Sequence, residues 1–135
     1  MGRLDGAKAD IEFDASGKVA APGFIDAHTH DDRLMLSAPE MAPKISQGVT
    51  TVVAGNCGIS LAPMPAGRRA HTVPPLALLD EGGSWFRFPT FRAYVEELQS
   101  KPAATNCVLL VGHSSLRVAE MDDVARRYRT RSFCF

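Results

Sequence analysis

No charge of either sign predominates in this sequence, where 15 lysines and arginines are matched by 15 aspartates and glutamates. A balanced chain sets up no net field toward nucleic acid or an anionic membrane, so neither is expected as a partner. Long apolar runs are missing too. No segment approaches the roughly 18 apolar residues that a membrane helix needs. The opening Met1-Gly2-Arg3-Leu4-Asp5-Gly6 has no apolar stretch of signal-peptide length. Cysteine is scarce and scattered, at positions 57, 107 and 134, which excludes a disulfide framework and suits a reducing compartment. The expectation is a cytoplasmic protein. With 135 residues, 45% of them hydrophobic and 22% charged, the chain has the length and make-up of one globular domain.

What is present concentrates in Gly23-Phe24-Ile25-Asp26-Ala27-His28-Thr29-His30. It reads as a buried apolar strand ending in two histidines spaced by one residue. Side chains alternate along a strand, so His28 and His30 share a face, with Asp26 on it as well. Two imidazoles so placed can grip one divalent ion, since neutral histidine is the commonest ligand of zinc-like metals. The alternative is a pair of polar residues leaving the strand for solvent.

Along the chain, Ala9 to Asp14 alternates apolar and polar residues, Ala15-Ser16-Gly17-Lys18 supplies a turn, and Val19-Ala20-Ala21 follows. This predicts a small hairpin feeding the first buried strand. Met41 to Gln47 has near-helical spacing and is stopped by Gly48. Val49-Thr50-Thr51-Val52-Val53-Ala54 has the β-branched composition of a strand covered on both faces. Ser60 to Pro89 shows little periodicity, and a loop of that length in a compact domain is usually functional or disordered. It is a candidate lid at a site mouth. Phe91, Tyr94, Val95 and Leu98 form one helical stripe, with Thr90 as N-cap. Asn106 to Val111 is a further strand, closed by Gly112-His113-Ser114-Ser115, and Val118 to Tyr128 is a candidate helix.

Strands alternating with helices predict a parallel sheet with right-handed crossovers. The polar candidates follow successive strands: His28 and His30 the first, Cys57 the second, His113 the third. In parallel α/β folds, sites assemble at such carboxyl ends. A closed (β/α)8 barrel takes on the order of 200–250 residues, and this chain supplies about three βα units. The fold expected is therefore α/β, a partial (β/α)8 TIM barrel.

Ala21-Pro-Gly-Phe-Ile-Asp-Ala-His-Thr-His30, Pro43-Lys-Ile-Ser-Gln-Gly-Val-Thr-Thr-Val-Val-Ala-Gly-Asn-Cys-Gly-Ile-Ser60, Phe88-Pro-Thr-Phe91 and Val111-Gly-His-Ser-Ser-Leu-Arg117 closely resemble the N-terminal part of D-aminoacylases. These are N-acyl-D-amino-acid deacylases of the amidohydrolase superfamily. The His-x-His strand marks only the superfamily; Asn56-Cys57-Gly58 in its Val-Thr-Thr-Val-Val context is much more specific to the deacylase branch. The resemblance implies a small β-sandwich built from both termini, with residues 1–22 its remnant, residues 23–121 the partial barrel and 122–135 an atypical tail. On that reading the chain is cut at both ends.

The resemblance also implies zinc held by His28 and His30, with Cys57 as a further ligand in place of the carboxylated lysine of many relatives. The alternative for Cys57 is a small buried hydrophobe. Asp26, Asn56 and His113 are expected to line the site or steady its ligands; for Asp26 a hydrogen bond to backbone is equally open. Cys107 is expected in the core, and Cys134 has no assigned role. The implied reaction is hydrolysis of the amide of a small-molecule N-acyl-D-amino acid. The family's catalytic aspartate belongs to later strands, so no catalytic residue is assigned and the isolated chain is expected to be inactive. The alternatives are a non-catalytic remnant and a hydantoinase- or dihydroorotase-like enzyme acting on cyclic amides.

Overall fold

The computed structural model describes residues 6–125. Its centre is β2, Val49–Ala54, flanked by β1, Phe24–Asp26, and β3, Asn106–Leu109. All pairing is parallel, in the order β1-β2-β3. Asp26 lies opposite Val52, and Val52 opposite Cys107, so the three strands release their chains along one edge of the sheet. The β-branched run of β2 suits this middle place, but the strand is not covered on both faces as expected: Val52 and Ala54 are fully buried, while Thr51 and Val53 on the other face are half-buried.

Helices cover the crossovers. Between β1 and β2 come two single turns, α1 (Leu34–Ser37) and α2 (Ala42–Ile45). A one-turn α3 (Pro74–Ala77) precedes α4, Phe91–Ser100. The Thr90 hydroxyl accepts the Ala93 N–H at 3.1 Å, an N-cap that stabilises a helix by about 1 kcal/mol. Tyr94 and Leu98, four residues apart, are the buried stripe of α4. The last helix, α5, spans His113–Glu120 and buries Ser115, Val118 and Ala119. No helix among the described residues is long and apolar enough to cross a membrane.

Several expectations need correction. The stretch 60–89 is not disordered: Leu61, Ala62, Met64, Ala70, Leu76, Leu79, Phe86 and Phe88 are core residues packed with Val52, Tyr94 and Val118. Its apolar residues pack without a repeating period, so no 2.0 or 3.6 spacing marks them. No strand forms in residues 6–22, and Ile11, Phe13 and Val19 are exposed. An isolated two-stranded ribbon buries too little apolar surface to offset the entropy of ordering it. The strand β1 is not buried, since Phe24 and Ile25 are each 67% exposed on a sheet edge. Cys107, on the opposite edge strand, is exposed rather than core. Finally, His113-Ser114-Ser115 opens α5 instead of closing β3, and residues 121–125 are not helical. The remainder of the helix expected to Tyr128, Cys134 and most of the tail lie outside the described residues.

Candidate metal centre

Just past β1 the Thr29 N–H donates to the Val53 carbonyl at 3.1 Å, prolonging the parallel pairing through the His-x-His segment. Thr29 is buried while His28 is exposed and His30 half-buried. Alternation about a pinned central residue thus turns both imidazoles to the same side.

Cys57 arrives from the end of β2 through a tight left-handed turn. Gly55, Cys57 and Gly58 have φ of 86°, 54° and 73°. At Gly55 a Cβ would meet the Leu110 carbonyl oxygen at 2.1 Å, so neighbouring backbone, as well as φ, demands glycine. For Cys57 the left-handed conformation costs roughly 1–2 kcal/mol. Two side chains hold the turn against that cost. The Asn56 amide donates to the Val53 carbonyl at 2.6 Å and reaches the Thr29 carbonyl at 3.5 Å. Asp32 Oδ2 accepts the Gly55 N–H at 3.3 Å, and the Asp32 carbonyl accepts the Tyr94 hydroxyl at 3.0 Å.

The outcome is a three-donor cluster. His28 Nε2 is 3.0 Å from Cys57 Sγ. The His28 and His30 rings meet edge to face, with centroids 5.8 Å apart and planes at 84°. One donor atom from each of His28, His30 and Cys57 lies within 4.8 Å of the others. Tetrahedral zinc bonded to nitrogen and sulfur places its donors roughly 3.3–3.6 Å apart, so small rotations of these side chains suffice. The buried His30 Nδ1 has no hydrogen-bond partner among the described residues. Leaving such an atom unpaired costs roughly 1–3 kcal/mol. The donor set, two imidazoles and a thiol, is the chemistry that zinc selects.

Carboxylates and one lysine surround the cluster. Asp26 is not one of the three clustered donors: its Oδ1 accepts the His28 main-chain N–H at 3.3 Å and its Oδ2 accepts Lys44 Nζ at 2.6 Å. Asp26 thus bonds both to the backbone of His28 and to a side chain, Lys44. The lysine hydrogen bond lowers the carboxyl pKa of Asp26, against a smaller opposing effect of burial. Burial opposes the charge of Lys44, but its bonds to Asp26 and Asp31 outweigh that and raise its pKa. Asp32 is buried, which pushes its pKa up to about 6 despite backbone N–H groups from Gly55 and Leu61. Burial, with the nearby Asp32 charge, also raises the Tyr94 hydroxyl.

His113, exposed at the start of α5, stands beside Gly58 and is not one of the three clustered residues. Sequence reasoning passed over Lys44 and Asp32. The Asp31-Asp32 pair directly after the second histidine was the available signal for one of them, while nothing local singled out Lys44.

The profile of the amidohydrolase family matches residues 12–130. A D-aminoacylase of Alcaligenes xylosoxydans xylosoxydans is 56% identical over 128 residues, which cover 93% of this chain and 25% of that one. A solved D-aminoacylase, studied for the functional role of its binuclear metal centre, superposes with a TM-score of 0.69 at 59% identity, covering 76% of this chain and 21% of that one. The N-acyl-D-glutamate deacylase of Bordetella bronchiseptica, solved with zinc and a phosphonate mimic of the tetrahedral intermediate, superposes with a TM-score of 0.77 at 46% identity. That match covers 90% of this chain and 25% of that one. The chain thus spans about a quarter of the length of these relatives.

Proposed function

Because the chain belongs to the amidohydrolase family, we propose that it is the metal-binding opening of a zinc-dependent deacylase acting on small-molecule N-acyl-D-amino acids. The observation that supports this best is the convergence of His28, His30 and Cys57 from two adjacent strand ends. In this reading residues 23–121 are the first three βα units of a (β/α)8 barrel, and residues 1–22 become sandwich strands only when paired with strands from elsewhere. A reducing, cytoplasmic setting accords with a thiol ligand.

His28, His30 and Cys57 would hold the zinc, and Asn56 and Asp32 would keep the sulfur-bearing turn in place. Zinc bound there would polarise an amide carbonyl and make a water acidic enough to attack it near neutral pH. The chain's own part is to present the donors. His28 Nε2 and Cys57 Sγ already stand 3.0 Å apart, close to the spacing that two ligands of one cation would take. His113, beside Gly58, would line the approach to the centre. No group of this chain is assigned the transfer of a proton to the leaving amine.

A chimera tests the reading. Residues 12–125 of this chain replace the matching segment of the Alcaligenes D-aminoacylase, and hydrolysis of N-acetyl-D- and N-acetyl-L-amino acids is followed. Retained activity on the D series, abolished by Cys57→Ser, is the expected result. A chimera that folds and binds zinc yet hydrolyses neither series would overturn it.

A further inference from the structure

Two carboxylates that bracket the histidines converge on one ammonium group. Lys44 Nζ is 2.6 Å from Asp26 Oδ2 and 3.0 Å from Asp31 Oδ2, with Thr29 Oγ1 at 3.5 Å. Asp26 stands two residues before His28, Thr29 lies between the histidines, and Asp31 follows His30. A single side chain therefore spans the whole ligand segment. Asp26 passes the constraint on, since its other oxygen accepts the His28 main-chain N–H.

Lys44 has a firm base from which to do this. It sits in α2, where its own N–H and that of Ile45 donate to the carbonyl of the fully buried Met41. The helix ends at Ile45 and a turn leads on to Gly48, whose carbonyl accepts the Phe24 N–H at the start of β1. The lysine side chain is only 19% exposed, so its ion pairs are screened less than those at an open surface.

We infer that Lys44 is a positioning residue for the metal centre, tying the Asp26–Asp31 segment into the one conformation in which His28 and His30 face Cys57 together. The inference rests on the metal-centre reading above. It makes a prediction opposite to that of charge alone. A cation near a divalent metal repels it, so simple electrostatics says that removing the ammonium should tighten zinc binding. Positioning says the reverse, because groups that orient metal ligands contribute roughly 10–100-fold to affinity.

The test is zinc affinity of the full chain by competition with a chromogenic chelator, for the native sequence, Lys44→Met, Lys44→Arg and Cys57→Ser. Cobalt spectra report whether thiolate coordination is tetrahedral. The expected results are a Kd raised roughly tenfold or more in Lys44→Met, with weakened cobalt–thiolate absorption, and recovery to within about threefold in Lys44→Arg. An unchanged or lowered Kd in Lys44→Met overturns the inference while leaving the metal centre standing. No zinc binding by the native chain, or binding unaffected by Cys57→Ser, overturns both. Thermal melts in chelator check folding. If Lys44→Met has no cooperative melt, Lys44→Gln keeps a polar head in the half-buried niche and faces the same criteria.

Discussion

His28 Nε2 and Cys57 Sγ are 3.0 Å apart although 29 residues separate them in the chain. That contact exists because β1 and β2 are parallel neighbours whose chains emerge side by side. If the pair holds a metal, zinc should protect Cys57 from alkylation while leaving Cys107 reactive, since both thiols are exposed. Site-resolved mass spectrometry after iodoacetamide treatment, with and without zinc, reads this directly. Equal labelling of Cys57 in the two samples would count against the metal centre.

The left-handed backbone of Cys57 separates strain from ligation. Cys57→Gly removes the Cβ penalty and should stabilise the chain in chelator by roughly 1 kcal/mol relative to Cys57→Ala. It should also abolish any rise in melting temperature on adding zinc. A glycine variant no more stable than the alanine variant would show that the turn is not strained.

The buried carboxyl of Asp32 predicts a pH dependence of stability in chelator. Its pKa of about 6 in the fold exceeds its ordinary 3.8. The folded chain therefore binds that proton more tightly. The associated stabilisation is complete below about pH 4 and is lost as pH rises through 6, amounting to roughly 3 kcal/mol. Asp32→Asn keeps an oxygen for the Gly55 N–H and cannot titrate. The native chain should accordingly lose stability relative to Asp32→Asn between pH 4 and 7, by urea denaturation. A pH-independent difference between the two would refute this.

The segment 60–89 carries structural weight of its own. Leu61 is wholly buried, so Leu61→Ala should cost about 2–5 kcal/mol by urea denaturation. A loss below roughly 1 kcal/mol would mean that this stretch behaves as the peripheral loop its irregular sequence suggests.

Much of the layout was legible in the residues alone. The β-branched run marked β2 from Val49 to Ala54, Thr90 marked the start of α4, and Tyr94 and Leu98 marked its buried stripe, because local propensity and packing agree there. The two histidines and the cysteine stood out as donor types at strand ends, and the deacylase motifs led to the family. Where packing is aperiodic, as at Leu61, Met64 and Phe88, no pattern in the chain announced the core.

The sequence by itself determined the donor types, the alternation that places His28 and His30 on one face, and the glycines that permit the turn at residues 55–58. Only the tertiary structure decided that this turn lies against the histidines and that Asp26 bonds to backbone while sharing Lys44 with Asp31. It also decided that β1 and β3 are exposed edges. The physical reason is range: side-chain period and backbone freedom are properties of a few adjacent residues. Contacts between residues 28 and 57, or 26 and 44, depend on strand register and crossover packing, which no local pattern encodes.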